Sequence, residues 1–304
     1  MVIYFYKKRF NRFFSIFDQL EIENLSKIIP KHIEIIFDNK DNLLNIADIV
    51  VFDIPFSKEY IYSKKITKQN NQIWVAWNLE SEANYPWIIE LKRKNFFDLW
   101  MSYRLDSDVV LPYYNYSLQE QLFTTPLKKE NDVCMFISSP VNNNKRREYI
   151  AELMHYINID SYGLWKNNKR LLFDKGYSTK LDTIRKYKFT ISFENVCSID
   201  YVTEKFFDPL IVGSVPIYLG APNIEMFSPG DNSFINVQNY NSPRLLAEKI
   251  KKYCQDESLY ESLLEWKKQP LRSELRRLIE NQKIHPFERL AILVDCLNHR
   301  RKNS

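Results

Sequence analysis

Glycine is scarce in this chain, with 5 among 304 residues, and so is cysteine, with 4. So little glycine excludes a glycine-rich fibre, and 45% hydrophobic residues argue against disorder. Cys134, Cys197, Cys254 and Cys296 are scattered without a CxxC spacing, and only four histidines occur, so neither a zinc site nor a disulfide framework is indicated. Long apolar runs are missing too. The N-terminal VIYFY is broken by Lys7, Lys8 and Arg9, far short of the roughly 20 residues a membrane-spanning helix needs, and the segment is unlike a signal peptide. Lys and Arg exceed Asp and Glu by only 43 to 38, a balance that fits an anionic ligand or a membrane surface as well as a nucleic acid. Charges and aromatics are not gathered into a nucleic-acid recognition element, so no nucleic-acid partner is expected.

What is present is alternation. VIYFY, HIEIIF at 32–37, DIVVFDIPF ending at Phe56, IWVAW at 73–77 and LWMSY at 99–103 are short apolar runs separated by polar, helix-compatible stretches. Such runs read as strands covered on both faces, the mark of an α/β sheet. The pattern pauses in the polar segment 117–131 and resumes with a strand from Asp132, a helix RREYIAELMHYI, the strand FTISF, a helix from about Thr203 and the strand VPIYL. The reading is two Rossmann-like domains, 1–125 and 130–279, with a helix over about 280–304 able to pack back on the first. Ser242 and Pro243 open a further helix as N-cap and first helical residue.

Between FTISF and VPIYL lies FENVCSIDYVTEK, which sets Glu194, Asn195, Asp200, Glu204 and Lys205 where a core would otherwise continue. In a parallel sheet, ligands sit outside the carboxyl ends of the strands. A helix starting near Thr203 directs free N–H groups and partial positive charge there, which suits a phosphate, and Lys205 adds a full charge. Glu204 would repel phosphate but suits sugar hydroxyls, so a nucleotide sugar uses both. Taken alone, the triplet also reads as a capped, solvated helix start, and Pro209 should bend the helix.

The whole segment FTISFENVCSIDYVTEKFFDPLIVGSVPIYLGAPNIEMFSPGDNSFINV resembles the signature of the α-1,3-fucosyltransferases, glycosyltransferase family 10, which orders FEN, a (Y)(V/I)TEK, VPIYLG and SFI. WMSYRLDSDVVLPY and IDSYGLW are similar to two further family blocks, and together they cover most of Trp74 to Val237. The resemblance implies a GT-B fold with an N-terminal acceptor lobe and a C-terminal GDP-fucose lobe facing each other across a cleft. It implies inverting transfer of L-fucose from GDP-β-L-fucose to a GlcNAc hydroxyl of a LacNAc-type, Lewis-related glycan. Carried over by matching positions, Arg146, Glu194, Asn195, Tyr201, Glu204 and Lys205 form the substrate-binding set, and Glu80 and Glu204 the catalytic one. Arg146, with Tyr149 three residues on, would hold the diphosphate and stabilise the departing GDP; which of Arg146 and Arg147 faces the ligand stays open.

Glu80, in WNLESEANYP, matches the family glutamate of an NFESP-like segment and is the expected general base. This chain has ESEANYP there, which makes Glu82 a rival. Asp106-Ser107-Asp108 spells a metal-binding DxD, but the resemblance puts it in the acceptor lobe as a polar network with Arg104, and no essential divalent metal or tightly bound cofactor is expected. His32 and His155 read as packing residues; His285 and His299 lie in the tail. Animal and plant relatives carry a Golgi anchor; none is read here, so a bacterial-type or viral cytoplasmic enzyme is the expectation. Its acceptor would be an oligosaccharide or lipid-linked glycan. Arg272, Arg276, Arg277, Arg300, Arg301 and Lys302 would give peripheral contact with anionic lipid at the inner membrane. A GT-B transferase with another donor, and a glycan-binding relative without turnover, are the alternatives.

Overall fold

The run Ile49-Val50-Val51-Phe52 shows how the first unit is built. Strand residues alternate faces, so an unbroken apolar run needs a sheet covered on both sides. In the computed structural model, which describes residues 1–6, 33–38, 41–54, 57–63, 66–171 and 173–302, with the side chains of the last helix described to Leu297, that is the outcome. Ile49 and Val51 join Phe5, Val75, Trp77 and Met101 on one face, and Val50 and Phe52 join Tyr4, Trp74 and Ala76 on the other.

The strands are β1 (Val2–Tyr6), β2 (Glu34–Asp38), β3 (Ile49–Ile54), β4 (Ile73–Asn78), β5 (Leu99–Ser102) and β6 (Val109–Val110), parallel throughout and ordered β2-β1-β3-β4-β5-β6. Helix Trp87–Arg93 covers one face with Ile88 and Leu91. The other is covered by Phe287, Leu290, Ala291 and Val294 of the last helix, Pro286–Lys302, and Arg289 Nη2 donates to the Val110 carbonyl at 2.6 Å. This unit comprises Met1–Tyr113 and Ile284–Ser304. Among the described residues no helix is long and apolar enough to cross a membrane.

The second unit, Tyr114–Lys283, has β7 (Asn131–Met135), β8 (Asp160–Ser161), β9 (Tyr187–Phe193), β10 (Val215–Leu219) and β11 (Ile235–Asn236), also parallel, ordered β11-β10-β9-β7-β8. From β7 the chain steps outward to β8, returns to β9, and continues the other way to β10 and β11. The direction therefore reverses between β7 and β9, the switch point at which parallel sheets bind ligands. The helix opened by Ser242 runs Pro243–Gln255, and Ser242 Oγ accepts from the Leu245 amide at 3.3 Å.

The division falls between Tyr113 and Tyr114, earlier than the 125–130 boundary that composition suggested. The stretch 114–125 is bound into the second unit by contacts its composition does not announce. The Tyr114 ring lies 5.0 Å from that of Phe207, Leu118 and Leu122 are buried, and Lys267 Nζ donates to the carbonyls of Leu122 at 2.6 Å and Leu210 at 2.8 Å. Burial lowers the Lys267 pKa to about 8.

The IDSYGLW block forms β8 and the turn after it. A Cβ on Gly163 would lie 2.2 Å from the Ile137 carbonyl oxygen and 2.3 Å from its nitrogen. Backbone atoms of the buried Ile137, two residues beyond β7, cannot yield, so Gly163→Ala is expected to cost about 3 kcal/mol of stability, read as a lowered urea midpoint at unchanged m-value.

Candidate active site

Glu194 directly follows β9, and its amide extends the ladder by donating to the Leu219 carbonyl of the neighbouring strand at 2.8 Å. Its side chain is fully buried. The carboxylate accepts from the Thr203 amide at 2.8 Å and from Thr203 Oγ1 at 2.9 Å. Thr203 is extended and caps the helix Glu204–Val212, its hydroxyl accepting from the Lys205 amide at 3.4 Å, so one buried acid fixes the start of the helix. Pro209 lies inside this helix, which runs on to Val212 and ends on Gly213 at φ 75°.

Lys205 Nζ lies 3.4 Å from Glu194 Oε2 and 3.1 Å from Glu204 Oε1, and donates to Thr203 Oγ1 at 3.0 Å. Burial works against its charge, but Glu194 and Glu204 outweigh burial and raise its pKa. Glu204 is also opposed by burial, yet Lys205 and then Lys180 pull it down to about 2. Burial pushes Glu194 up against the pull of Lys205. The cluster therefore holds a firm ammonium and an ionised carboxylate side by side, with the side chains of Lys205 and Glu204 29% and 40% exposed. It can offer a cation to phosphate oxygens and an acceptor to hydroxyl groups.

The surrounding loops are tied to each other through side chains. Asp200, at φ 64°, donates its amide to Asn223 Oδ1 at 3.0 Å and accepts from Asn223 Nδ2 at 2.8 Å, which links the loop after β9 to the loop after β10. Asn144 Nδ2 donates to the Glu194 carbonyl at 2.9 Å and the Asn143 amide to the Asn195 carbonyl at 3.1 Å, which links it to the loop after β7. Asn195 is half-buried and Tyr201 buried.

Of the two arginines, Arg146 is buried. Its Nη1 donates to the Phe193 carbonyl at 3.0 Å, and its Nη2 to those of Ser139 at 3.3 Å and Val141 at 3.1 Å. Arg147 is half-buried, donates to the Ser139 carbonyl at 3.0 Å, and lies 5.6 Å from the Trp165 ring. Arg146→Ala removes the donors of three carbonyls and is expected to cost about 3 kcal/mol or more. Arg147→Ala should cost under about 1 kcal/mol, since its remaining contacts are partly solvated. Thermal unfolding of both variants checks the contrast.

Glu80 belongs to the first unit, half-buried just beyond β4, with its amide donating to Asn78 Oδ1 at 3.1 Å. The Tyr85 hydroxyl has its pKa raised by burial and then by the Glu80 charge. Glu82 is ion-paired with Lys92, whose ammonium lies 4.8 Å from the Trp100 ring. Asp106 pairs with Arg104 at 2.8 Å, and Asp108 accepts from the Trp100 amide at 2.7 Å. Both carboxylates of the DxD thus have partners within the first unit.

His155 is exposed, contrary to its reading as a packing residue, because the helix Arg146–Leu153 stops before it and the helical periodicity no longer applies. His32, and the side chains of His299, Arg300, Arg301 and Lys302, lie outside the described residues. Arg272 is engaged by Glu225 at 3.0 Å and by Asp231. Sequence reasoning missed Lys180 and Asp208, which line one cavity with Glu204, and Tyr177, which with Lys180 donates to Asp208 at 2.7 Å. The available signal was Asp208 at one helical turn beyond Glu204; nothing marks Lys180 in its polar stretch.

Residues 1–114 match the family model described as fucosyltransferase, N-terminal, and residues 126–301 match glycosyltransferase family 10 (fucosyltransferase) C-term. The chain belongs to glycosyltransferase family 10. This family 10 chain is 31% identical over 220 residues to a putative fucosyltransferase-like protein of Arabidopsis thaliana, a match covering 71% of the chain and 42% of that protein. It is 36% identical over 205 residues to human 4-galactosyl-N-acetylglucosaminide 3-alpha-L-fucosyltransferase 9, covering 65% of the chain and 54% of the relative. The family 10 chain thus spans about half the length of these curated relatives. A crystal structure of an alpha1,3-fucosyltransferase with GDP-fucose shares its fold, with a TM-score of 0.58 at 18% identity over 87% of this chain and 81% of that one. Two parallel α/β units of the GT-B class are therefore the architecture.

Proposed function

We propose that the chain is an inverting α-1,3-fucosyltransferase that moves L-fucose from GDP-β-L-fucose to a GlcNAc hydroxyl of a LacNAc-type glycan. The observation that carries the reading is the Glu194, Thr203, Glu204 and Lys205 cluster at the carboxyl end of β9, beside the switch point. Lys205 and the helix start take the diphosphate, and Glu204 accepts from the sugar hydroxyls. Asn195 and Tyr201 complete the donor contacts. The diphosphate role expected of Arg146 is not kept in this scheme, because its buried guanidinium is engaged by the carbonyls of Phe193, Ser139 and Val141; Arg147 is the more exposed cation of the pair.

In the reaction, Glu80 takes the proton of the acceptor hydroxyl as its oxygen attacks the fucose anomeric carbon. The bond from that carbon to the β-phosphate oxygen breaks, and its electron pair leaves with GDP, where Lys205 stabilises the charge. No divalent metal is required in this scheme, so activity persists in EDTA. Peripheral binding at the inner membrane, from the cytoplasmic side, brings the enzyme to lipid-linked acceptors.

Incubation with GDP-fucose and a panel of disaccharides, followed by NMR location of the new linkage, tests the reading. Transfer from another nucleotide sugar but not from GDP-fucose would replace it, and absence of any transfer with retained glycan binding would favour a non-catalytic relative.

A further inference from the structure

The second unit carries a groove of about 440 Å³ that the proposed transfer does not use, and Asn236, the last residue of β11, lies in its wall. That size falls within the roughly 300–1,000 Å³ of small-ligand sites. The loop that shapes it is held from inside. Ser228 and Ser233, each 1% exposed, are hydrogen-bonded to each other at 3.0 Å. Ser228 Oγ also donates to the Gly230 carbonyl at 2.8 Å, and the Arg272 amide to that of Pro229 at 3.0 Å. A groove fixed in this way is formed before a ligand arrives, which lowers the ordering cost of binding.

Its lining is polar and specific in kind. Arg272 pairs with Glu225 Oε2 at 3.0 Å and with Asp231 Oδ1, which leaves Glu225 Oε1 and Asp231 Oδ2 as acceptors. Exposed pairs of this sort add little to stability; what they fix is the direction of the oxygens. Asn232 and Asn239 also line the groove. Both are exposed, and among the described residues neither side chain makes a hydrogen bond. Phe234, half-buried and packed against Phe206 and Tyr218, supplies the aromatic ring of the lining.

The balance of charge selects the ligand. Two carboxylates against one guanidinium repel phosphate, sulfate and carboxylate groups. A cation would find its place between the carboxylates already taken by Arg272. A mainly apolar ligand would strip water from the carboxylates and amides without replacing their hydrogen bonds. What fits is an uncharged molecule rich in hydroxyl groups, each both donor and acceptor, with a C–H face for the electron-rich face of Phe234. We propose that this groove binds a neutral sugar unit of a glycan chain, as a subsite distinct from the donor cluster. The two are neighbours on the second unit: Phe234 packs against Phe206, the residue after Lys205, with ring centroids 5.3 Å apart. A chain held in the groove therefore stays at high effective concentration beside the donor cluster.

The test is side-chain amide NMR of the full chain, titrated with the neutral tetrasaccharides maltotetraose, cellotetraose and lacto-N-neotetraose. The Asn232 and Asn239 signals should shift saturably with at least one of them. The double variant Asn232→Gly, Asn239→Ala should bind that sugar about tenfold more weakly, with the Asn236 amide as the reporter. Its fold should be unaffected, since glycine adopts the φ of 56° at position 232 without strain and no internal hydrogen bond is lost; an unchanged melting temperature checks this. No saturable shift with any of the sugars, or binding undiminished in the double variant, would overturn the proposal. So would tighter binding of sialylated lacto-N-neotetraose than of its neutral parent, because the groove would then be an anion site. These measurements need no turnover, so they are independent of the fucosyltransferase reading, which fails instead if the chain neither binds nor uses GDP-fucose.

Discussion

Glu80→Gln is expected to slow transfer roughly 10²–10⁴-fold, the usual contribution of a general base, while calorimetry shows GDP binding unchanged. The amide keeps the shape of the side chain and removes only its capacity to take a proton. Two controls accompany it. Glu82→Gln should retain most of the turnover, because Glu82 is engaged by Lys92. The phenol of Tyr85 should titrate lower in Glu80→Gln, since the Glu80 charge contributes to its elevation; ultraviolet difference spectra report this directly. Near-normal turnover in Glu80→Gln would remove Glu80 from the mechanism.

Lys205→Met should act on both affinity and folding. The charge-assisted contact with phosphate is worth about 1.5–3 kcal/mol, so GDP affinity should fall by roughly one to two orders of magnitude. The fully buried Glu194 loses its cation, at a cost of about 3 kcal/mol to the fold. The pH dependence has a definite sign. Burial already raises the Glu194 pKa above its ordinary 4.5, and Lys205 opposes this. Without Lys205 the folded protein binds a proton that the unfolded chain releases, so stability falls as pH rises from about 4.5 through the elevated folded value. Urea melts should therefore find the variant's deficit smaller at about pH 5.5 than at about pH 8. A deficit independent of pH would show that Glu194 is not the group left uncompensated.

Much of the architecture could be read from the residues, because strands covered on both faces must be apolar without interruption. IVVF and IWVAW could be nothing else in a chain of this composition, and both became central strands. Two-residue strands such as Asp160–Ser161 carry no periodicity and become visible only through their pairing. The division at Tyr113/Tyr114 differs from the composition-based 125–130 for a related reason: the polar residues from Ser117 onward hide a tie to the second unit, in which Lys267 bridges the carbonyls of Leu122 and Leu210. At the site, local chemistry told Glu204 and Lys205 from an ordinary helix start only with the family signature beside it. Burial of Arg146 rather than Arg147 depends on which of the two reaches the carbonyls of Phe193 and Val141, which neighbouring arginines do not disclose.

The last helix gives the first unit a long wait during synthesis. Phe5, Val51 and Trp77 are made early, yet Phe287, Leu290, Ala291 and Val294, which cover them, come at the far end of the chain. The second unit, continuous over Tyr114–Lys283, can fold on the ribosome before that cover emerges. Until it does, one face of the N-terminal sheet is bare and a ready client for chaperones, so premature termination near residue 284 should leave a product destined for proteolysis.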